Sequence, residues 1–297
     1  MKVNRRIERT IRFRVRGLSK VPNYRRRRCK LPALMPEVSS PPTADRVAAA
    51  LATRWLGRTF EWLPVCASTS DLAAERARAG APAGLTIVAD AQTGGRGRLG
   101  RSWHSPPGEN LYLSLLLRPT RPAGEIPPLT LLAGAAVARA IAPLGVSPRL
   151  KWPNDVQLVD GAGHKRKLAG VLTEMASAGE RVEHVVVGVG INVNTTSFPA
   201  ELAERATSLR AALDRPVDRA ALLAAVLNAF EPLYDEFERR GSAVAVAAFE
   251  ELAALPARCR IDDRLQGTAL GVDPDGALRL RDDAVQIHRV ISGEVHP

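Results

Sequence analysis

The sequence predicts an α+β fold, a mixed β-sheet packed by helices and followed by a small β barrel. Three features predict it. Apolar runs of strand length recur between residues 60 and 192, separated by Gly, Pro and Asn turns. Residues 129–142 are Ala/Leu-rich and apolar nearly all round, so they belong against a sheet. The chain after residue 257 breaks into short strands joined by turns such as Asp273-Pro274-Asp275-Gly276.

In order, Ser39-Ser40-Pro41-Pro42 reads as a linker, and Thr43 is expected to cap a short helix through Val47 to Leu51. Residues 60–67 read as a strand. Ser68-Thr69-Ser70-Asp71 then caps a helix that continues through Arg78 and stops at Gly80. Residues 84–91 form a β-branched strand and 110–118 a long alternating one, with Leu111, Leu113, Leu115 and Leu117 on one face. Beyond the Ala/Leu helix, strands are expected at 149–152, 156–160, 167–176 and 182–192. Residues 219–239 and 243–255 read as helices, with Pro232 expected to kink or divide the first. Closing strands are expected at 258–262, 266–272, 277–281 and 285–291.

At 297 residues and 45% apolar composition, the chain can bury one large core and a small one. Its net charge of +11 invites a nucleic-acid reading, but the excess is local. Residues 1–34 hold 13 of the 42 Lys/Arg and, at Glu8, one of the 31 acidic residues. The remainder is nearly neutral. A segment containing Arg25-Arg26-Arg27-Arg28 is expected to be disordered, because like charges repel and little apolar surface is present. Three readings of it stay open: a solvated appendage, with Met35 as an alternative initiator; a nucleic-acid-binding arm; and a transit peptide, though Ser19 is its one serine. A helix-turn-helix reader would need two or three helices before residue 60, where one is expected.

The chain has neither an uninterrupted apolar run of about 18 residues nor a signal-type apolar core, so the expectation is a cytoplasmic protein without a membrane partner. Cys29, Cys66 and Cys259 are far apart, odd in number and without metal-ligand spacing, and are read as free thiols. The five histidines stand singly, without an HExxH pattern, and are read as surface or packing residues. Sequence motifs therefore give no protein metal site.

The loop Gln92-Thr93-Gly94-Gly95-Arg96-Gly97-Arg98-Leu99-Gly100-Arg101 lies between two expected strands. Glycines admit close backbone approach and arginines offer planar donors, so the loop suits an anion. It is not a P-loop, since no helix with Lys-Ser/Thr opens from it. Taken alone it also fits a flexible linker or an RNA-binding Arg-Gly segment. Lysine usage adds an independent pointer. After the basic tail, lysine occurs only at Lys151, Lys165 and Lys167 in a chain that otherwise uses arginine. A compact ammonium is wanted where a point charge must neutralise a reacting oxygen.

The loop is followed in order by Trp103-His104-Ser105-Pro106, Gly108-Glu109-Asn110-Leu111-Tyr112, Lys151-Trp152-Pro153-Asn154-Asp155-Val156, Lys167-Leu168-Ala169-Gly170-Val171-Leu172-Thr173-Glu174 and Gly188-Val189-Gly190-Ile191-Asn192-Val193-Asn194. Together these resemble the catalytic domain of biotin protein ligases over residues 68–194. Gly267-Thr268-Ala269-Leu270-Gly271-Val272-Asp273 and Ser292-Gly293-Glu294-Val295 are similar to the family's carboxy-terminal barrel. The resemblance implies a class II aminoacyl-tRNA synthetase-like (biotin-lipoyl transferase) fold with an SH3-like barrel, in the form without an amino-terminal DNA-binding domain. It divides the chain into a basic extension at 1–43, a catalytic domain at 44–255 and a barrel at 256–297.

The same resemblance implies an ATP-dependent ligase that forms biotinyl-5′-AMP and transfers biotin to a lysine of a biotin carboxyl carrier domain of acetyl-CoA carboxylase or a related carboxylase. Biotin would meet Ser68, Thr69, Ser70, Gln92, Gly95, Arg96, Gly97, Arg98, Lys167, Gly170, Gly188 and Gly190. ATP would meet Arg98, Arg101, Trp103, Lys151, Asn154, Asp155, Lys167 and Asn192, with Lys167, Arg96 and Arg98 carrying the chemistry. Mg²⁺ would arrive with the nucleotide. Asp155 is a candidate either for Mg²⁺ or for orienting Lys167. The family usually has Ser-Thr-Asn where this chain has Ser68-Thr69-Ser70, so one side-chain amide is missing near the ring. A monomer or homodimer without specific DNA binding is expected. The alternatives are a lipoate-protein ligase or octanoyl transferase of the same broad fold, a biotin-sensing repressor, and a nucleic-acid-binding protein using the Arg-rich tail.

Overall fold

Segments rich in Val, Ile and Leu, which water cannot accommodate in extended form, become the strands of a central seven-stranded sheet. The computed structural model describes residues 40–253, 255–262 and 264–296, so the basic extension falls outside it except for residues 40–43. In spatial order the sheet runs β1 (Phe60–Cys66), β2 (Thr86–Gln92), β3 (Leu111–Leu117), β7 (Arg181–Ile191), β6 (Lys165–Ala178), β5 (Asp155–Val159) and β4 (Pro148–Lys151). The β1–β2 pair is parallel and the other neighbours are antiparallel, which makes the sheet mixed.

Helices cover the two faces unequally, and that asymmetry makes the site. On one face, α3 (Leu129–Ile141), α6 (Arg219–Arg240) and α7 (Ala243–Glu250) enclose the main core with Leu111, Leu113, Leu115 and Leu117. On the other, α2 (Thr69–Arg78) sets Ala73 and Ala77 against Ile87, Leu116 and Val186. β3 is therefore buried on both faces rather than one. The stretch Ala123–Leu144 has the length and hydropathy of a membrane span, but α3 within it packs against the sheet, α6 and α7, which is the place of a core helix.

Three helices differ from the sequence expectation. α1 (Ala44–Ala48) is shorter than expected, and Thr43, although at its N-cap position, makes no side-chain capping bond. Pro232 does not divide α6, which continues for 22 residues; Phe230, Leu233, Tyr234 and Phe237 are buried on either side of the proline and outweigh its missing N–H. α7 ends at Glu250, short of residue 255, because the Leu252 carbonyl accepts from Leu150 N at 3.1 Å and Ala253 bridges Leu150. Strand pairing takes the chain out of the helix. Two short helices, α4 (Ala200–Ala203) and α5 (Leu209–Leu213), lie in a region given no elements from sequence.

The carboxy-terminal strands β8 (Ala257–Ile261), β9 (Leu265–Val272), β10 (Leu278–Arg281), β11 (Ile287–Val290) and β12 (Val295–His296) form an antiparallel sheet in the order β11-β10-β9-β8-β12, consistent with an SH3-like domain. β12, unforeseen from sequence, pairs with β8. The unit is tied to the main fold by Val272 N donating to Glu250 Oε1 at 3.0 Å and Trp152 Nε1 donating to the Gly276 carbonyl at 2.9 Å.

One buried carboxylate yields a stability prediction. Glu231 on α6 accepts from the backbone N–H groups of Arg54, Trp55 and Leu56 at 2.7, 3.0 and 2.9 Å. Burial alone would raise its pKa, but these donors hold it below the ordinary glutamate value. A depressed folded value stabilises the protein above the unfolded pKa and is lost as pH falls through the folded one. Glu231→Gln should cost about 1.5–3 kcal/mol near neutrality and flatten the loss of stability below pH about 4. Thermal melts at pH 7 and pH 4 check this; parallel losses in both proteins would remove Glu231 from the acid response.

Candidate active site

The cleft lies on the α2 face, where that helix stops covering the sheet. α2 shields Leu116 and Val186. Farther along the same strands stand two cross-strand rows, Ser114–Gly188–Leu172 and Tyr112–Gly190–Gly170–Asp155. Gly170, Gly188 and Gly190 put bare backbone on the floor. A Cβ at Gly188 would stand 2.6 Å from Ser70 Oγ, and one at Gly190 would stand 2.5 Å from the Trp103 ring. Neither position has room for a side chain.

The inner end is lined by hydroxyls and one amide. Ser68 Oγ accepts from Asp71 N at 3.3 Å and caps α2, so its capping and lining roles coexist. Gln92, the last residue of β2, accepts at Oε1 from Thr69 N (2.9 Å) and Thr69 Oγ1 (3.2 Å) and donates through Nε2 to Ser105 Oγ (3.2 Å). Ser114 Oγ donates to Thr69 Oγ1 at 2.8 Å and lies 3.1 Å from Ser70 Oγ. Ser114 is fully buried, and sequence reasoning missed it. The available signal was its place as the one hydroxyl of Leu-Tyr-Leu-Ser-Leu-Leu-Leu apart from the tyrosine.

The glycine–arginine loop folds as a short hairpin. Gly97 N donates to the Arg101 carbonyl at 2.7 Å, Trp103 N donates to the Gly95 carbonyl at 2.9 Å, and Arg96 bridges Ser102. Its tip turns through left-handed residues Leu99 (φ 58°) and Gly100 (φ 74°). The arginines separate in role. Arg96 lines the cleft but is held by Asp71 (2.6 Å) and Glu174 (3.0 Å). Arg101 points to the carboxy-terminal unit, donating to Glu294 at 3.1 and 2.7 Å; that pairing, ahead of the opposing effect of burial, holds Glu294 below its ordinary pKa. Arg98 lines the cleft half-buried, with no hydrogen bond or ion pair to any described residue, and burial pulls its pKa below the usual arginine value. A desolvated, uncompensated guanidinium is a ready anion site.

Lys167, near the start of β6, also lines the cleft. Its Nζ lies 2.6 Å from Asp155 Oδ1 and 5.3 Å from the centre of the Trp103 ring. Asp155 is therefore placed to orient Lys167. Asn154 lines the cleft and donates from Nδ2 to the Val171 carbonyl at 2.9 Å. Gly97 lines it as well. Gly95, Arg101, Lys151, Asp155 and Asn192 do not. Gly95 packs behind the loop against Ser105 and Gln92. Lys151 pairs in register with Asp155, and burial lowers its pKa. Asn192 is turned away, its Nδ2 donating to the Thr207 carbonyl at 3.1 Å. Trp152, in the same motif as Lys151, is a core residue. Among the described residues no group of three or more His, Cys, Asp or Glu could hold a metal.

Comparison with known proteins gives a consistent answer. Residues 62–192 match the biotin/lipoate A/B protein ligase family, and residues 258–296 match the biotin protein ligase C-terminal domain. The chain is 40% identical over 237 residues to the bifunctional ligase/repressor BirA of Bacillus spizizenii, covering 77% of this chain and 71% of the relative. It is 33% identical over 261 residues to biotin--[acetyl-CoA-carboxylase] ligase of Mycobacterium tuberculosis, covering 81% and 90%. The solved biotin protein ligase of Aquifex aeolicus, in complex with biotin and ATP, superposes with a TM-score of 0.69 at 29% identity over 80% of this chain and 98% of that one. On these matches and this architecture, the chain belongs to the biotin protein ligase family.

Proposed function

We propose that this cleft activates biotin with ATP as biotinyl-5′-AMP and that the chain then transfers the biotinyl group to a lysine of a biotin carboxyl carrier domain. The observation that carries the reading is the cleft itself: a glycine floor, a hydroxyl–amide end, and the cations Arg98 and Lys167 on its lining. A ureido ring needs a few fixed donors and acceptors, and its aliphatic tail needs apolar walls, here Leu172 and the Trp103 ring. Thr69, Ser70 and Gln92 would face the ring, with the Ser70 hydroxyl, backed by Ser114 Oγ at 3.1 Å, standing where an amide is missing.

In the first half-reaction a biotin carboxylate oxygen attacks the α-phosphorus of ATP and pyrophosphate leaves. In the second, the acceptor amine attacks the mixed-anhydride carbonyl, loses its proton and expels AMP. The chain aligns the reactants, spreads charge onto Lys167 and Arg98, and excludes water under Trp103. Mg²⁺ brought in with the nucleotide would neutralise charge on the triphosphate, and Asp155 is the carboxylate proposed to meet it if any does. The chain is proposed to act as a monomer or homodimer. Residues 40–59 contribute one five-residue helix, and the proposal includes no DNA reading by them. The domain division is likewise proposed as catalytic over 44–255 and barrel over 256–297.

Biotin-dependent ATP–pyrophosphate exchange tests the reading. Biotin should support exchange and lipoate should not; equal exchange with lipoate would transfer the assignment to a lipoate ligase. Removing residues 1–34, so that Met35 comes first, should leave ligase activity unchanged, because every proposed site residue lies from Ser68 onward. A drop in single-turnover biotinylation by the shortened chain would show that the tail contributes.

A further inference from the structure

A second concave surface lies at the other end of the same strands. It is lined by Arg78 at the end of α2, Arg118 and Arg121 after β3, and Arg181 and His184 on β7, with Glu180 and Glu183 as the acidic residues among its lining. Gly170 lies eight positions before Ala178 on β6, so this groove and the cleft floor stand roughly 25 Å apart along the strand.

Three of its four lining arginines have no carboxylate partner among the described residues. Arg78 and Arg181 have no ion pair with any described residue, although both are exposed. Arg118 spends its donors on the carbonyls of Ala77, Ala81 and Glu183 at 2.9–3.2 Å and so keeps its whole charge. Only Arg121 has a carboxylate nearby, Glu125 at 3.7 Å. Several other arginines do sit on carboxylates, as at Arg76–Glu61, Arg139–Glu251 and Arg258–Asp283.

His184 is an independent pointer. Its side chain lines the groove, is 6% exposed, and makes no hydrogen bond to a described residue. Its ring nitrogens are not sealed in the core, so they open toward the groove and can meet an acceptor from outside. We propose that this groove is an anion site for a small, multiply charged phosphate compound, such as a diphosphate, bound between Arg78, Arg118 and Arg181 with His184 beneath. Guanidinium forks match phosphoryl oxygens. The groove offers no Phe, Tyr or Trp on which bases could stack, which favours a compact phosphate over a single nucleic-acid strand. Consistently, burial, and then the charges of Arg118 and Arg78, push His184 below its ordinary pKa against the opposing effect of Glu183. A bound anion would reverse that field.

The test is a titration of the full chain with inorganic pyrophosphate, read on the His184 imidazole by nitrogen-detected NMR, the resonance being assigned by its loss in His184→Gln. Pyrophosphate should raise the His184 pKa by roughly one unit, and the double variant Arg78→Ala/Arg181→Ala, whose positions are exposed, should abolish the shift while keeping biotinylation at its normal rate. Pyrophosphate can also occupy the catalytic cleft, but that binding would leave His184 unmoved. An unchanged His184 titration at saturating pyrophosphate, or a shift that survives in the double variant, overturns the proposal. A short oligonucleotide producing the larger shift at equal phosphate would also overturn it, in favour of a nucleic-acid surface.

Discussion

Lys167→Met is expected to slow adenylation roughly a hundredfold, equivalent to about 3 kcal/mol of barrier, while slowing transfer from preformed biotinyl-AMP far less. Two anions must meet in the first half-reaction. An ammonium held 2.6 Å from Asp155 Oδ1, beside the Gly170 floor, lowers their repulsion and takes up charge developing at phosphorus. In the second half-reaction a neutral amine attacks an activated carbonyl, so the cation matters mainly to the departing AMP. Lys167→Arg should rescue little, because a planar fork cannot take the place of a point charge wedged between Asp155 and Trp103. Single-turnover biotinylation of a carrier domain, started once with biotin plus ATP and once with synthetic adenylate, separates the steps. Equal losses in both would make Lys167 a structural residue.

Lys167 was legible because of an anomaly of usage: a chain rich in arginine keeps its only post-tail lysines in one short window. The structure divides those three unequally, with Lys165 exposed, Lys151 half-buried at the end of β4, and Lys167 alone of the three on the cleft lining. The glycines of β6 and β7 were legible as motif positions, but their purpose depends on register. Gly170 and Gly190 are partners across two strands, and only that pairing shows that they clear one continuous floor for Trp103. Ser114 was hidden for the same reason: its neighbours say that β3 is buried, and only the folded arrangement shows that its hydroxyl backs Thr69 and Ser70 on the cleft lining. Asn192 shows the reverse error of spacing. It sits in the motif, yet the chain returning at Thr207 takes its amide. Helix ends erred where tertiary partners competed, as when β4 drew Leu252 and Ala253 out of α7.

The largest stability loss is expected at Arg219, a residue given no role in the site from sequence. Arg219 opens α6, is 1% exposed, and donates to Asp90 Oδ1 at 2.7 Å and to the Asn110 carbonyl at 3.1 Å. Asp90 Oδ2 in turn accepts from Gly108 N at 2.9 Å. The arginine thus ties α6 to β2 and to the segment that leads from Trp103 into β3. Asn110 extends the tie, its Oδ1 accepting from Val193 N at 2.8 Å and from Thr195 Oγ1 at 3.0 Å. Arg219→Met fills similar volume but strands the Asp90 carboxylate and the Asn110 carbonyl, and removing one member of a buried pair costs about 3–5 kcal/mol. With a few degrees per kcal/mol in a chain of this size, the melting temperature should fall by roughly 10 °C. Asp90→Asn/Arg219→Met, which removes the stranded charge as well, should recover part of that loss, because the greater cost lies in the unpaired ion rather than in the missing bond. Calorimetric melts of the wild type, the single variant and the double variant decide it. A double variant no more stable than Arg219→Met alone would mean that packing around the guanidinium, and not its charge, is what α6 requires.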